Sequence, residues 1–352
     1  MFSEASRRLA DEGPLSPETM ISQSATVIVP VLNEARYVGQ CIRSLLHDHE
    51  TEVLVVDGGS SDSTVAICEG LKDDFPALRV IDNSARRTAA AAMNLGVAEA
   101  TRDVIVRVDA HSVYSSDYLG QLVSTLRVSD AWVTGGHITS VPRRPTVFGR
   151  AVAASLNSRF VMGGAKFRGS VTSPVETDSV PFGCYRRDVF SKVGSFNEAL
   201  ARSQDYDFFQ RVRAAGGKVL LVPGAEIVYQ ARSGVMENIR YNFWNGYWIT
   251  YPRIMFDVRF SWRHYAPLAA ALFAAIVCLV SLSTTTVWPV VVIVAVYLAV
   301  LAGAVTEARS TGPRVALMTG VVALMTHSLY AAGCLWGCAS GWRRRLRAES
   351  RE

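Results

Sequence analysis

Asp109 and His111 stand two residues apart at the end of a short apolar run, Val104–Val108 (VIVRV). At a fraying strand end, residues i and i+2 can turn toward the same ion. A carboxylate with an imidazole suits Mn2+ or Mg2+ bridging a diphosphate, and the imidazole tilts the choice toward Mn2+. Such an ion would neutralise charge on a departing nucleotide diphosphate. Taken alone, the triplet equally describes an aspartate that caps a turn. Its place at the end of a fourth strand favours the metal reading.

Asp57 follows a second buried run, Glu52–Val56 (EVLVV), and precedes Gly58-Gly59. A carboxylate there can accept a hydrogen bond from a nucleobase, while the glycines permit close backbone approach. The other reading is a turn aspartate. The pattern is not G-x-G-x-x-G, which argues against a dinucleotide cofactor. Gln204-Asp205 opens an amphipathic stretch, Asp205–Ala215. Asp205 either caps that helix and answers its dipole, or serves as a general base for an acceptor hydroxyl.

These residues need a frame that brings strand ends together. Ala25–Pro30 reads as a first strand, followed by apolar residues at helical spacing, Val38, Cys41, Ile42, Leu45 and Leu46. Glu52–Val56 is a second strand, and a Ser/Asp/Thr cluster caps a helix over Ser63–Leu71. Arg79–Ile81, a helix over Ala89–Ala98 and the strand Val104–Val108 follow. Strand and helix alternate, and the strands are near-continuous apolar runs. The expectation is an α/β fold, a mostly parallel sheet flanked by helices on both faces. In such sheets ligands bind beyond the carboxyl ends of the strands. Past residue 115 the pattern loosens. Ala131–Gly136 and Lys218–Val222 read as strands, Gly163–Pro174 as a loop, and Met236–Trp248 is rich in aromatic residues.

Of the 352 residues 49% are hydrophobic and 19% charged, but the charge is unevenly spread. Between Tyr265 and Cys338 only Glu307, Arg309 and Arg314 carry formal charge. Three apolar stretches, near Tyr265–Ser283, Val287–Val305 and Val315–Cys338, each approach the ~20 residues that span a bilayer as a helix. The net charge is +5, and much of the excess sits in Arg343, Arg344, Arg345 and Arg347. That cluster either meets anionic lipid headgroups or is a solvated end that stops a helix. Three spans starting from a cytoplasmic domain would put it outside, against the positive-inside tendency. Either one stretch does not cross or the end is an exception. No basic patch interleaved with aromatics suggests a nucleic-acid partner. The six cysteines form no CxxC pair and read as small packing residues. The opening MFSEASRRLADEG lacks an apolar core, so no secretory signal peptide is expected.

VIVPVLNEARYVGQCIRSLL, VLVVDGGSSDST, AAMNLGVAEA and VRVDAH, in this order, resemble a family 2 glycosyltransferase with the GT-A fold. VPFGCYRRDVFSKVGSFNEALARSQDYDFFQRVRAAGGK is similar to the acceptor half of those enzymes. That stretch and YNFWNGYW look nearest to the succinoglycan-biosynthesis glucosyltransferase branch. The resemblance spans about residues 25 to 265. It implies that Pro30, Asn33 and Glu34 line the nucleotide pocket and that Asp57 reads the base, usually uracil. It implies that Asp109 binds the donor through a metal ion, with His111 where many relatives carry a second Asp. Asp205 takes the place of the family's catalytic base. Gln204, Trp244 and Trp248 are acceptor or interface candidates. The Gln-x-x-Arg-Trp motif of processive synthases is absent, so single-sugar addition is expected.

The expected organisation is an N-terminal arm (1–24), a GT-A domain (25–255), a juxtamembrane linker (256–264), a membrane domain of two to three transmembrane helices (265–340) and a basic end (341–352). The expected activity is inverting, metal-dependent transfer from a nucleotide sugar to a lipid-linked saccharide. It would take place at the cytoplasmic face of the inner (plasma) membrane, in contact with membrane lipids, on a multi-pass chain. The alternatives are a polyprenyl-phosphate glycosyltransferase, a nucleotidyltransferase of similar fold and a non-catalytic scaffold. The sole basic residue in VPVLNEARY is Arg36, too little for a triphosphate loop, and Asp109 and Asp205 are both present.

Overall fold

The computed structural model describes residues 25–45, 51–169 and 171–349. The expected arm over 1–24, Leu46 and the last residues of the basic end, 350–352, lie outside the described residues. The first half runs β1 (Thr26–Val31), α1 (Val38–Leu45), β2 (Glu52–Asp57), α2 (Thr64–Glu69), β3 (Leu78–Asp82), α3 (Ala89–Glu99), β4 (Val104–Arg107), β5 (Ser112–Tyr114), α4 (Tyr118–Val128) and β6 (Ala131–Pro142). It continues through α5 (Val147–Asn157), α6 (Arg159–Met162), β7 (Val175–Glu176), β8 (Cys184–Arg186), α7 (Val189–Val193), α8 (Gln204–Ala214) and β9 (Lys218–Ala231). Four long helices follow, α9 (Val235–Met255), α10 (Ala266–Thr284), α11 (Trp288–Glu307) and α12 (Pro313–Glu349).

The strands order as β3-β2-β1-β4-β8-β6-β9-β5, with β7 beside β9. β1 pairs in parallel with β2 and β4, and β2 with β3. β8 runs antiparallel to β4 and β6, as do β5 and β7 to β9. The sheet is therefore mixed, and the expectation of a mostly parallel sheet holds for its first four strands alone. Crossover helices separate those strands and enforce parallel pairing. β5, β7 and β8 are too short to leave a periodic trace in the sequence.

Successive strand residues face opposite sides of the sheet. Val27, Val29, Val53, Val55, Val104 and Val106 join one core with Cys41 and Ile42 of α1 and Leu122 of α4. Ile28, Leu54 and Ile105 join the other with Met93 of α3 and Phe208 and Phe209 of α8. Full burial of each such side chain contributes about 1.5–3 kcal/mol, so the strands are held from both faces. At the start of α2 Ser63 makes no capping bond, and Asp62 of the expected Ser/Asp/Thr cluster accepts from the Thr64 N–H at 3.0 Å.

The chain divides into two compact units, one reaching Thr139 and resuming over Lys166–Tyr229, the other Ser140–Ala165 with everything from Gln230. This division differs from the expected segments 25–255 and 265–340, because α5, α6 and α9 group with the apolar helices. In the second unit Gly246 of α9 lies against the backbone of Tyr330, and Gly333 of α12 against the backbone of Phe243. A side chain at either glycine would overlap a carbonyl oxygen. Thr250 Oγ1 donates to the Cys334 carbonyl at 2.6 Å, and Asn242 Nδ2 to Asn238 Oδ1 at 2.8 Å. Glu307 ends α11 by pairing with Arg159 Nε at 2.9 Å and accepting from Ser158 Oγ at 2.6 Å. α10, α11 and α12 are long and apolar enough to cross a membrane, with mean hydropathy 2.3, 2.5 and 1.5 over their best stretches. Arg343, Arg344, Arg345 and Arg347 are not a separate tail but the last turns of α12.

Replacing Gly333 or Gly246 by leucine is expected to part α9 from α12 and cost about 1–3 kcal/mol, as overpacked sites do. Thermal unfolding of detergent-solubilised protein measures it, and an unchanged midpoint would mean that these two helices do not meet.

Candidate active site

The carboxyl ends of β1 and β4 open onto a cleft of about 240 Å3, lined among others by Pro30, Glu34, Gly58, Arg87, Asp109 and His111. One wall is made by two loops that hydrogen-bond to each other. Asn33 takes the left-handed conformation, φ 57°, which asparagine tolerates better than most residues. Its N–H donates to Ser60 Oγ at 2.8 Å, and its Oδ1 accepts from the Ser61 N–H at 2.8 Å. The Glu34 N–H donates to Thr64 Oγ1 at 2.8 Å, and the Ala35 N–H to Asp62 Oδ2 at 3.2 Å. Asn33 thus shapes the wall without lining the cleft, while Pro30 and Glu34 do line it.

Asp57 is 5% exposed and turned into its own loop. Its Oδ2 accepts from the Gly59 and Ser60 N–H groups, each at 3.0 Å, and its Oδ1 from Ser60 Oγ at 2.5 Å. Gly58 rather than Asp57 is among the residues that line the cleft.

Asp109 sits in a tight turn closed by the Ser112 N–H donating to its carbonyl at 3.1 Å. Its own N–H donates to the buried Tyr114 hydroxyl at 2.8 Å. His111 places Nδ1 3.4 Å from Glu34 Oε1 and packs edge-on against Tyr229 at 5.4 Å. Asp109, His111 and Glu34 side chains keep 22%, 19% and 23% exposure, enough to meet a ligand.

Asp205 comes from α8, whose Phe208 stacks on Phe196 at 4.6 Å and meets Tyr185 edge-on at 5.5 Å. The helix starts at Ser203, φ 64°, with no side-chain cap. The Asp205 carboxylate is directed instead at Arg107, whose Nη1 donates to Oδ1. Arg107 Nη2 meets Asp109 Oδ1 at 3.2 Å. Burial raises the Asp205 carboxyl above the ordinary carboxylate range; Arg107 pulls it back and Asp109 adds to the rise. Burial alone would lower Arg107, and the Asp205 and Asp109 carboxylates more than reverse that. Gln204 beside it is 7% exposed, with Oε1 unpartnered.

The donor set bears on which ion fits. Among the described residues no group of three or more His, Cys, Asp or Glu side chains is placed to hold a metal. Asp109 and His111 would supply two ligands, which suits an ion that takes the rest from a diphosphate and water.

Sequence reasoning missed two arginines. Arg107 was legible as the charged residue in VIVRV, since a charge in a buried strand needs a partner. Arg87 lines the cleft just before α3, whose cap residue Thr88 accepts from the Ala91 N–H at 3.1 Å. A guanidinium beside a helix N-terminus suits an anion such as a diphosphate. Trp244 and Trp248 lie in the second unit on α9, in edge-on contact with Tyr247 at 5.1 Å and Tyr251 at 5.7 Å.

The profile of Glycosyl transferase family 2 matches residues 26–194, from β1 through β4 to α7. Residues 26–194 form a glycosyl transferase family 2 domain. It is 29% identical over 348 residues to the succinoglycan biosynthesis protein ExoA of Rhizobium meliloti, covering 94% of this chain and 100% of that protein. Succinoglycan biosynthesis protein ExoU of the same organism is 27% identical over 209 residues, 56% of this chain and 58% of that one. Among solved structures, the mannosyltransferase PcManGT from Pyrobaculum calidifontis, in complex with GDP-Man and Mn2+, superposes with a TM-score of 0.55. Identity there is 18%, over 95% of this chain and 92% of that one, a likeness of fold. The chain has a GT-A type α/β fold and is related to succinoglycan biosynthesis proteins.

Replacing Asp57 by alanine leaves the Gly59 and Ser60 N–H groups unpaired and is expected to cost about 1–3 kcal/mol without any nucleotide present. Thermal unfolding of the ligand-free protein checks this. An unaltered midpoint with lost nucleotide binding would restore Asp57 to direct base contact.

Proposed function

We propose that this chain moves one sugar from a nucleotide-sugar donor, first of all a UDP-sugar, to a lipid-linked saccharide, with inversion at the anomeric carbon. The observation that carries the reading is the meeting of Asp109 and Asp205 on one buried arginine beside the cleft. Asp109 belongs to the strand-end turn of the donor half and Asp205 to the helix of the acceptor half.

In this reading Pro30, Glu34 and Gly58 form the donor wall, and the Asp57 turn and Asn33 hold that wall in shape. Arg87 and the N-terminus of α3 face the diphosphate. Asp109 and His111 would hold a divalent cation, Mn2+ or Mg2+, a choice supported by the PcManGT structure being a complex with GDP-Man and Mn2+. The cation, when bound, neutralises charge on the departing diphosphate. Asp205 takes the proton from the acceptor hydroxyl as that oxygen attacks the anomeric carbon from the face opposite the leaving group. Its raised carboxyl makes it a stronger base than an exposed aspartate once ionised. Gln204, whose Oε1 is unpartnered, offers an acceptor for a sugar hydroxyl.

Three helices able to cross a membrane argue for an acceptor that is itself membrane-bound. A chain anchored in the bilayer meets such a substrate by diffusion in two dimensions. The transfer unit then works on the cytoplasmic side of the inner membrane, where nucleotide sugars are made. Trp244 and Trp248 on α9 suit a headgroup-level position, as interfacial aromatics do.

Purified protein with Mn2+, labelled UDP-, GDP- and dTDP-sugars and lipid extract tests the reading. Label should enter the lipid fraction with one donor class, and chelation with EDTA should abolish transfer until Mn2+ is restored. Asp205→Asn should lower kcat about 10²–10⁴-fold, the usual span of general-base catalysis, with UDP binding retained. Asp109→Asn should weaken Mn2+-dependent UDP binding as well. Label on bare polyprenyl phosphate would replace the saccharide acceptor by the carrier lipid, and transfer undiminished in Asp205→Asn would remove the base.

A further inference from the structure

Arg107 is the last residue of β4, and the strand's alternation puts it on the same sheet face as Ile105. That face carries α3 and α8. Its side chain is 7% exposed, in a strand whose other residues are all apolar. Its backbone N–H donates to the Gly183 carbonyl at 3.0 Å, and the Phe182 ring lies 5.9 Å from its guanidinium carbon. One terminal nitrogen goes to Asp205 Oδ1 and the other to Asp109 Oδ1. Nε has no partner. The guanidinium is planar and rigid, so its two terminal nitrogens fix the separation and mutual angle of whatever they hold.

A buried arginine that only completed the fold would be satisfied by any two carboxylates. Here the two are the donor-side metal ligand and the acceptor-side base, and one oxygen of each remains uncommitted to Arg107. We infer that Arg107 is a positioning residue for transfer. It holds Asp205 at a fixed distance from Asp109, so that the free Oδ2 of the base addresses a hydroxyl lined up with the bond to the leaving diphosphate. This role rests on the reading under Proposed function. Lysine keeps the charge but is a point donor on a flexible stem and cannot hold both carboxylates at a set angle. Misplacing a reacting group by about 1 Å costs on the order of 10²-fold in rate.

The test uses the full chain and four variants, Arg107→Lys, Arg107→Gln, Asp205→Asn and the double Arg107→Gln/Asp205→Asn. Thermal unfolding, UDP binding with Mn2+, donor KM and kcat are measured on each. Arg107→Lys should unfold near the wild-type midpoint and keep donor KM within about threefold, while kcat falls on the order of 10²-fold. Arg107→Gln should fall further, so that lysine counts as partial rescue. Because Arg107 acts through Asp205, the double variant should be no more than about threefold slower than Asp205→Asn alone. Should Arg107→Gln not fold, Arg107→Lys/Asp205→Asn completes the same cycle.

An Arg107→Lys kcat near wild type, or losses that multiply in the double variant, would overturn the role while leaving the transfer reading intact. A loss confined to KM or to UDP binding would make Arg107 a donor-site residue instead. A wild-type chain that binds UDP and transfers no sugar would overturn both.

Discussion

A guanidinium in the middle of a sheet, with almost no access to water, governs how the transfer unit is built. Arg107 would cost several kcal/mol if its charge were unpaired. Two carboxylates answer it, one from the turn that follows its own strand and one from a helix 98 residues further along the chain. That requirement brings α8 to β4 at one place, and the Tyr185, Phe196 and Phe208 rings hold the helix there. Electrostatics thus decides where the helix points, and aromatic packing makes the position stiff.

The opposite wall of the cleft is arranged by short-range hydrogen bonds. Asp57 turns its carboxylate onto the N–H groups of its own loop, while Asn33 and Asp62 turn an amide or carboxylate oxygen onto N–H groups of the neighbouring loop. The loops after β1 and β2 become a single rigid rim. Asp57 helps to form that rim through the hydrogen bonds its carboxylate accepts from Gly59 and Ser60. The cleft therefore joins a locally organised wall to a residue pair that depends on the whole sheet.

The second unit solves a different problem. Close backbone approach and shared polar groups hold α9 and α12 together. Gly246, Gly333 and Gly337 let α9 and α12 meet backbone to backbone, and Thr250 and Asn242 add hydrogen bonds along the seam. The Gly333–Gly337 spacing, which in isolation reads as a helix-packing signal, is used within this chain.

Much of this was written in the sequence. Apolar runs of strand length alternating with helical spacing gave the first four strands, and uniform apolarity over about twenty residues gave the three long helices, because both signals are local. A carboxylate at the end of a buried strand marked Asp109 for the same reason. Other features depend on which distant segment lies alongside. The antiparallel half of the sheet rests on β5, β7 and β8, which at two or three residues have no period to read. The sequence left Asp57 open between nucleobase and turn, and Asp205 between cap and base. In the folded chain Asp57 accepts hydrogen bonds from its own loop, and the Asp205 carboxylate turns to Arg107. Arg107 is the clearest case. Its position in VIVRV demands a counter-charge, but only the tertiary structure could choose Asp109 and Asp205, because a pairing across 98 residues is decided by the fold and not by spacing along the chain.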